Sequence, residues 1–236
     1  MSRPLPLAGV CVVEIGHSLA APYAGQIFAH LGARVIKIEN SKAGDYARGW
    51  GPPFIEGAAV LFHAMNHGKQ SIQADFGDET CIQSLRTLIL EQADVVIQNL
   101  KPGSLERNGL GAEALTEAKP SLIYCNLGAF GAVGPLRDKP GYDPLAQAYS
   151  GIMSVLGNEG DAMSRVPVSL NDMGTGMWTV IGVLSALRSR DADPEKKGQI
   201  VDVSLYETAL AWMTVPLSDN IAGAALPARG PRLRGG

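Results

Sequence analysis

Short apolar runs alternate with longer stretches of helical periodicity along most of this chain. Apolar runs or strict alternation indicate strands, and apolar residues repeated every three or four positions indicate amphipathic helices. The predicted strands span residues 10–15, 33–39, 71–75, 93–99, 122–127 and 198–204; the predicted helices span 22–31, 58–65, 78–92, 142–157, 173–190 and 205–214, with short helical turns over 105–119. This order predicts an α/β domain with an open, mostly parallel sheet flanked by helices.

The predicted domain fills most of the sequence. A chain of 236 residues has room for one large domain or two small ones. We place the α/β domain in residues 1–222, where strands and helices follow one another without a break. Residues 223–236 are rich in Gly, Pro and Arg and offer no closing helix or strand, so they are predicted to form a linker.

Composition and charge exclude several classes of function. Hydrophobic residues make up 46% of the chain and its net charge is −3, so a large core is expected and a basic surface for nucleic acid is not. The N-terminus lacks an apolar signal segment, and no apolar run is long enough to span a membrane. We therefore expect a cytoplasmic protein that acts on neither nucleic acid nor a membrane.

Cysteine, histidine and serine patterns exclude further kinds of site. Cys11, Cys81 and Cys125 are odd in number and far apart, which fits neither a disulfide framework nor a zinc site and favours a reducing compartment. The four histidines lack the spacing of metal-binding motifs, so we expect no metal. The serines lack the G-x-S-x-G motif of α/β-hydrolases, so a serine hydrolase is not supported.

An aspartate at a predicted helix start is the most informative single position. Asp172 opens the helix, and Gly174 and Gly176 follow it within about one turn. Each glycine lowers helix stability by about 1 kcal/mol relative to alanine, which suggests that something approaches this backbone closely. The alternative from the residues alone is an ordinary helix cap with packing glycines.

Three loops offer groups suited to an anionic ligand. The turn 16–22 follows the first strand, where open α/β sheets bind ligands, although an ordinary tight turn is an equally good interpretation. The loops 66–69 and 99–107 supply amides and cations that suit phosphate groups. Taken alone, each of these two loops would be a solvated connection.

Taken in chain order, these segments resemble the class III CoA-transferases, the family of formyl-CoA transferase and carnitine CoA-transferase, whose fold alpha-methylacyl-CoA racemase shares. The resemblance runs from about Leu5 to the last residue and implies a Rossmann-like sheet. The matching segments are 16–22, 31–39 with Gly44, Asp45 and Arg48, 66–71, 93–103 with Arg107, 141–143, Gln147, 150–151, and Asp172 with its glycines.

The resemblance implies covalent catalysis by Asp172. Its carboxylate, kept ionised by the helix N-terminus, would attack the thioester carbonyl and release CoA thiolate, with backbone amides near the glycines receiving the oxyanion. The thiolate would then form an aspartyl-CoA thioester, from which an acceptor acid takes the CoA. CoA is a substrate moiety in this scheme, and no metal, nicotinamide or flavin is implied. The implied CoA-binding residues are His17, Leu19, Ala20, Lys69, Asn99, Leu100, Arg107, Asn108, Lys139 and Tyr142.

Three differences from members of this family shape the alternatives. Racemases of this fold carry a histidine where Tyr142 stands, and a tyrosine phenol, which ordinarily ionises near pH 10, is a poor base at neutral pH; transferase is therefore favoured over racemase. Formyl-CoA transferase has a glutamine at the position of Leu19. Family members are also longer and form interlocked homodimers, so residues 223–236 resemble the linker to a smaller domain absent from this chain. A CoA-binding domain without turnover is the remaining alternative.

Overall fold

The computed structural model describes residues 3–225 and 229–230. Its main sheet consists of six parallel strands, and a two-stranded antiparallel hairpin lies beside it. The six strands are β1 (Cys11–Ile15), β2 (Arg34–Asn40), β5 (Gln70–Ala74), β6 (Val95–Gln98), β7 (Ile123–Gly128) and β8 (Ile200–Ser204); the hairpin is β3 (Phe54–Ile55) with β4 (Ala58–Ala59).

Helices cover both faces of the sheet, and two more helices follow its last strand in the chain. They are α1 (Ala20–His30), α2 (Val60–Asn66), α3 (Glu79–Gln92), α4 (Ala112–Ala118), α5 (Asp143–Tyr149), α6 (Ile152–Val155), α7 (Leu170–Ala192), α8 (Leu205–Trp212) and α9 (Thr214–Ile221). Short 3-10 turns span Tyr46–Gly49 and Glu106–Asn108. Within the described residues, none of these helices combines the length and apolarity needed to cross a membrane.

The strand order determines where a ligand can bind. Along the sheet the order is β5–β2–β1–β6–β7–β8, so the chain runs outward in one direction from β1 and in the other from β6. At such a reversal the loops that follow the two central strands diverge and leave a crevice at the carboxyl edge of the sheet. The α/β fold with a mostly parallel sheet, predicted from the sequence, is confirmed.

Two apolar layers, one on each face of the sheet, form the core. Successive strand residues point to opposite faces, so Val12 packs with α1 and α7 while Val13 packs with α3. Cys11 and Cys125 are buried free thiols within these layers. They behave as small apolar side chains, as their apolar neighbours in the sequence indicate.

Three features of the helices depart from the sequence prediction. The helix predicted over 142–157 is two helices, because Gly151 adopts a left-handed conformation (φ +84°) between α5 and α6. Helix α7 begins at Leu170, so Asp172 lies within its first turn rather than at its start. Helix α9 was not predicted at all.

The predicted linker is described only in part. Of residues 223–236, the structure describes 223–225 and 229–230, and the others lie outside the described residues. Arg229 donates hydrogen bonds to the carbonyl oxygens of Asp161 (2.6 Å) and Ser154 (3.4 Å). The two-part division at residue 222 remains a prediction.

Candidate active site

A cavity of about 250 Å³ opens at the carboxyl edge of β1, β6 and β7, at the reversal of strand order. Of the eleven residues predicted for the site, seven line this cavity, although they come from four separate segments of the chain. They are His17, Ala20, Asn99, Leu100, Lys139, Tyr142 and Asp172. The fold therefore brings together the first βα turn, the loops after β6 and β7, and the start of α7.

Four predicted residues lie elsewhere. Leu19 is 9% exposed and does not line this cavity. Arg107 and Asn108 line a different cavity beside the start of α3, and Asn108 donates weakly to the carbonyl oxygen of Phe76 (3.4 Å). Their predicted contacts with CoA are therefore outside the cavity that contains Asp172.

The prediction that Lys69 binds phosphate is wrong on geometric grounds. Its side chain is 2% exposed, and its ammonium lies 2.7 Å from the Glu14 carboxylate. The same nitrogen donates to the carbonyl oxygen of Pro22 (2.7 Å) and to Oδ1 of Asn66 (2.8 Å). Burial, only partly opposed by Glu14, lowers the pKa of Lys69 to about 8.

Asp143 caps the helix that carries Asp172. This carboxylate is almost fully buried and accepts hydrogen bonds from the backbone amides of Asn171 (2.6 Å) and Asp172 (3.3 Å). The next amide, that of Met173, donates to the carbonyl oxygen of Ser169 (3.0 Å). The first-turn amides of α7 are thus already occupied, and a side chain 29 residues earlier in the chain takes the place of a local cap.

The Asp172 carboxyl consequently gains and loses its proton near neutral pH. Burial and, secondarily, the charge of Asp143 raise its pKa from the ordinary 3.8 to about 7. The amides that could have stabilised its charge donate to Asp143 instead. The expectation that the helix N-terminus keeps Asp172 ionised is therefore wrong.

The two glycines after Asp172 are packing residues. A Cβ at Gly174 would lie 2.7 Å from Cγ2 of Thr208, and one at Gly176 would lie 2.8 Å from Cδ1 of Tyr23. These contacts join α7 to α8 and to α1. Close helix–helix approach explains both glycines, so they do not mark a place where a ligand meets the α7 backbone.

Asn99 shapes the first βα turn through its side chain. Its Oδ1 accepts from the backbone amide of His17 (3.0 Å), and its Nδ2 donates to the carbonyl oxygen of the same residue (2.9 Å). The His17 ring contacts the hydroxyl of Ser18 (2.9 Å) and packs edge-on against Tyr46. Burial lowers the pKa of His17, against the opposing charge of Asp45, so at neutral pH the ring is a neutral wall of the cavity.

Among the residues of the cavity wall or its support that sequence reasoning missed, three are informative. Lys101 lies in a loop that was chosen for its cations, so a signal for it existed. Asp143 belongs to a matched motif but received no role, because its contact with α7 depends on the fold. Thr175 is fully buried, and its hydroxyl lies 2.9 Å from that of Thr208; nothing in the sequence distinguishes it from a packing residue.

Comparison with known proteins places this geometry in a family. The sequence profile described as CoA-transferase family III matches residues 7–235. A succinate–glutarate CoA-transferase from Agrobacterium fabrum is 40% identical over 216 residues, which are 89% of this chain and 53% of that protein. An acetyl-CoA:oxalate CoA-transferase from Acetobacter aceti is 36% identical over 95% of this chain and 57% of its own length.

The fold of a solved relative agrees with the sequence comparison. A crystal structure of a CAIB/BAIF family protein from Brucella suis superposes with a TM-score of 0.90 at 40% identity, covering 96% of this chain and 60% of that one. The chain spans about half the length of the curated relatives that it matches.

Proposed function

We propose, because the chain belongs to CoA-transferase family III, that its cavity binds an acyl-CoA and that Asp172 carries the transfer of CoA to a carboxylic acid. One observation supports this above all others. Among the described residues that line the cavity, Asp172 is the one acidic side chain, and its pKa of about 7 lies near physiological pH. A carboxylate that burial has stripped of much of its solvation is a stronger nucleophile than one in water.

The proposed reaction begins with attack of the Asp172 carboxylate on the thioester carbonyl carbon. The carbon–sulfur bond breaks, CoA leaves as a thiolate, and a mixed anhydride remains on the enzyme. The thiolate then attacks the aspartyl carbonyl carbon, which releases the donor acid and leaves an aspartyl-CoA thioester. The acceptor carboxylate then attacks the aspartyl-CoA thioester, which releases CoA thiolate and forms a second mixed anhydride. The thiolate attacks the acceptor's carbonyl carbon in this anhydride, so the new acyl-CoA leaves, Asp172 is regenerated and no net proton is transferred.

The lack of net proton transfer agrees with the other groups in the cavity wall. Neither the half-buried, neutral ring of His17 nor the phenol of Tyr142 has to act as a base. A racemase would need such a base opposite Asp172. The cavity walls therefore fit carboxylate exchange better than proton exchange.

The polar end of CoA suits two features of the cavity rim. The first turn of α1, represented by Ala20, borders the cavity, and a helix N-terminus attracts anions. The exposed ammonium groups of Lys101 and Lys139 lie on the same rim and can pair with phosphate or with a second carboxylate. We propose small dicarboxylic acids as the exchanging acids, since the named relatives act on succinate, glutarate or oxalate.

Trapping of the covalent intermediate tests the proposal. The protein is incubated with succinyl-CoA and then with hydroxylamine, which converts an activated aspartyl group into a hydroxamate that peptide mass spectrometry locates. We expect the hydroxamate on Asp172 in the parent protein and none in Asp172→Asn. CoA binding without any hydroxamate would instead support a CoA-binding domain without turnover. Solvent deuterium at Cα of a 2-methylacyl-CoA would support a racemase.

A further inference from the structure

Four charged side chains form a buried quartet beneath the first βα turn: Glu14, Lys37, Asp45 and Lys69. Each side chain is at most 2% exposed. Lys37 Nζ lies 2.8 Å from both Glu14 and Asp45, and Lys69 Nζ lies 2.7 Å from Glu14. Oδ2 of Asp45 and Oε2 of Glu14 are fully enclosed and meet these ammonium groups as close ion pairs. Two positive and two negative charges leave the quartet neutral.

Lys37 is at the centre of the quartet. It faces Glu14 directly across the β1–β2 pair, where the two residues are register partners. Burial alone would lower the pKa of Lys37, but the charges of Glu14 and Asp45 outweigh burial and raise it, so the ammonium stays charged. Buried ion pairs stabilise a fold no better than well-packed apolar side chains do, so this one calls for a role that apolar packing could not fill.

The quartet holds backbone atoms on both sides of His17. Lys37 Nζ donates to the carbonyl oxygen of Gly16 (2.8 Å), and Asp45 Oδ1 accepts from the backbone amide of Ser18 (2.9 Å). Ser18 has a φ of +70°, a left-handed conformation that side chains other than glycine disfavour. Such a conformation persists where surrounding contacts impose it, and they cluster here.

This turn forms one wall of the cavity that contains Asp172. His17 and Ser18 both line the cavity, and Asn99 fixes the remaining backbone groups of His17. Lys37 and Asp45, which form hydrogen bonds with Gly16 and Ser18, do not themselves line the cavity. The shape of this wall therefore depends on residues behind it.

We propose that Lys37 is a positioning residue of the ligand cavity: by bridging Asp45 and the Gly16 carbonyl oxygen, it holds Ser18 in the left-handed turn that carries His17 into the wall. The kinetic part of this inference rests on the proposed function. The conformational part does not, because it concerns the turn alone.

Two variants and a control separate positioning from general stability. Lys37→Met removes the central ammonium, and Lys37→Met combined with Asp45→Asn keeps the quartet neutral if the single variant does not fold. Arg190→Met is the matched control. Arg190 forms a partly buried ion pair with Asp94 (3.1 Å), and Asp94 accepts a hydrogen bond from the backbone amide of Cys11 at the start of β1. This ion pair therefore lies at the edge of the sheet opposite to the cavity.

Amide hydrogen exchange by NMR provides the decisive measurement. In the Lys37 variants we expect the Ser18 amide to lose at least about tenfold in protection relative to the β1 core amide of Val13. In Arg190→Met we expect this ratio to stay at the parent value. In substrate assays with succinyl-CoA and glutarate, we expect the Lys37 variants to raise KM for the thioester about tenfold with kcat within about twofold.

Unchanged relative protection of Ser18 in the charge-balanced variant would overturn the proposal, as would an equal loss in Arg190→Met. A parent protein without transfer activity would contradict the proposed function instead. In that case the exchange measurement, which needs no substrate, still decides the role of Lys37.

Discussion

Replacement of Asp172 by asparagine is expected to abolish transfer and to stabilise the protein at the same time. The folded protein raises the pKa of this carboxyl from 3.8 to about 7, so ionised Asp172 opposes folding. A difference of about three pKa units, at 1.36 kcal/mol each, sets an upper limit of about 4 kcal/mol. Partial access to solvent screens the charge, and we therefore expect about 2 kcal/mol, or about 6 °C in Tm.

The pH dependence of this stabilisation is the stringent part of the prediction. Well below pH 3.8 the carboxyl is protonated in both the folded and the unfolded chain, so Asp172→Asn and the parent protein should unfold alike. Between pH 4 and pH 7 only the unfolded chain ionises, so the parent loses stability and the Tm difference grows. Above pH 7 both states are ionised and the difference should stay constant.

Thermal unfolding followed by circular dichroism from about pH 3 to about pH 9 measures this difference. Asp138→Asn is the matched control, because Asp138 is 75% exposed and pairs loosely with its neighbour Arg137 at 3.5 Å. The control should follow the parent at every pH. An Asp172→Asn variant no more stable than the parent at pH 8, or one whose advantage grows as the pH falls, would refute the reasoning.

Three further predictions follow from the same geometry. The rate of hydroxamate formation at saturating succinyl-CoA should rise with pH to a plateau with an apparent pKa of about 7, because the nucleophile is ionised Asp172; a flat profile between pH 5 and 9 would contradict this. Lys69→Met should lower the free energy of unfolding by about 3–5 kcal/mol, whereas Lys139→Met should leave it within about 0.5 kcal/mol and weaken CoA binding in a salt-dependent way; calorimetry measures both effects. Gly176→Ala should cost about 1–3 kcal/mol because its Cβ would lie 2.9 Å from a carbonyl oxygen of α1, whereas Gly49→Ala, with no atom within 4 Å, should be nearly neutral in urea unfolding.

The sheet could be predicted from the sequence because its signal is local. All six strands of the main sheet begin and end within two residues of the predicted positions. Each is an apolar or alternating segment between turns, and that pattern is visible without knowledge of the fold. Hairpin β3–β4 was not predicted, since strands of two residues are too short to show a period. The break at Gly151 was missed because apolar spacing continues on both sides of it.

The site could be predicted by position more readily than by chemistry. Loops after parallel strands meet at one edge of the sheet, so most predicted residues line one cavity. The ionisation of Asp172 was predicted wrongly, because helix capping was reasoned from neighbouring residues alone. Asp143 takes the amides that a local argument assigns to Asp172, and only the folded chain brings these carboxyls together.

Lys69 and Lys139 occupy different environments in the folded chain. Loop composition suggested phosphate binding for Lys69, and the family resemblance implied CoA binding for both lysines, but Lys69 lies behind the wall with Glu14 while Lys139 lies on the rim. A signal for this difference exists in the strands themselves. Glu14 and Lys37 interrupt the apolar runs of β1 and β2, and strands near the centre of a parallel sheet are covered on both faces. A charge at such a position has no path to water and requires a buried partner of opposite sign, so a carboxylate within a central strand, such as Glu14, predicts that cations elsewhere in the chain are paired with it.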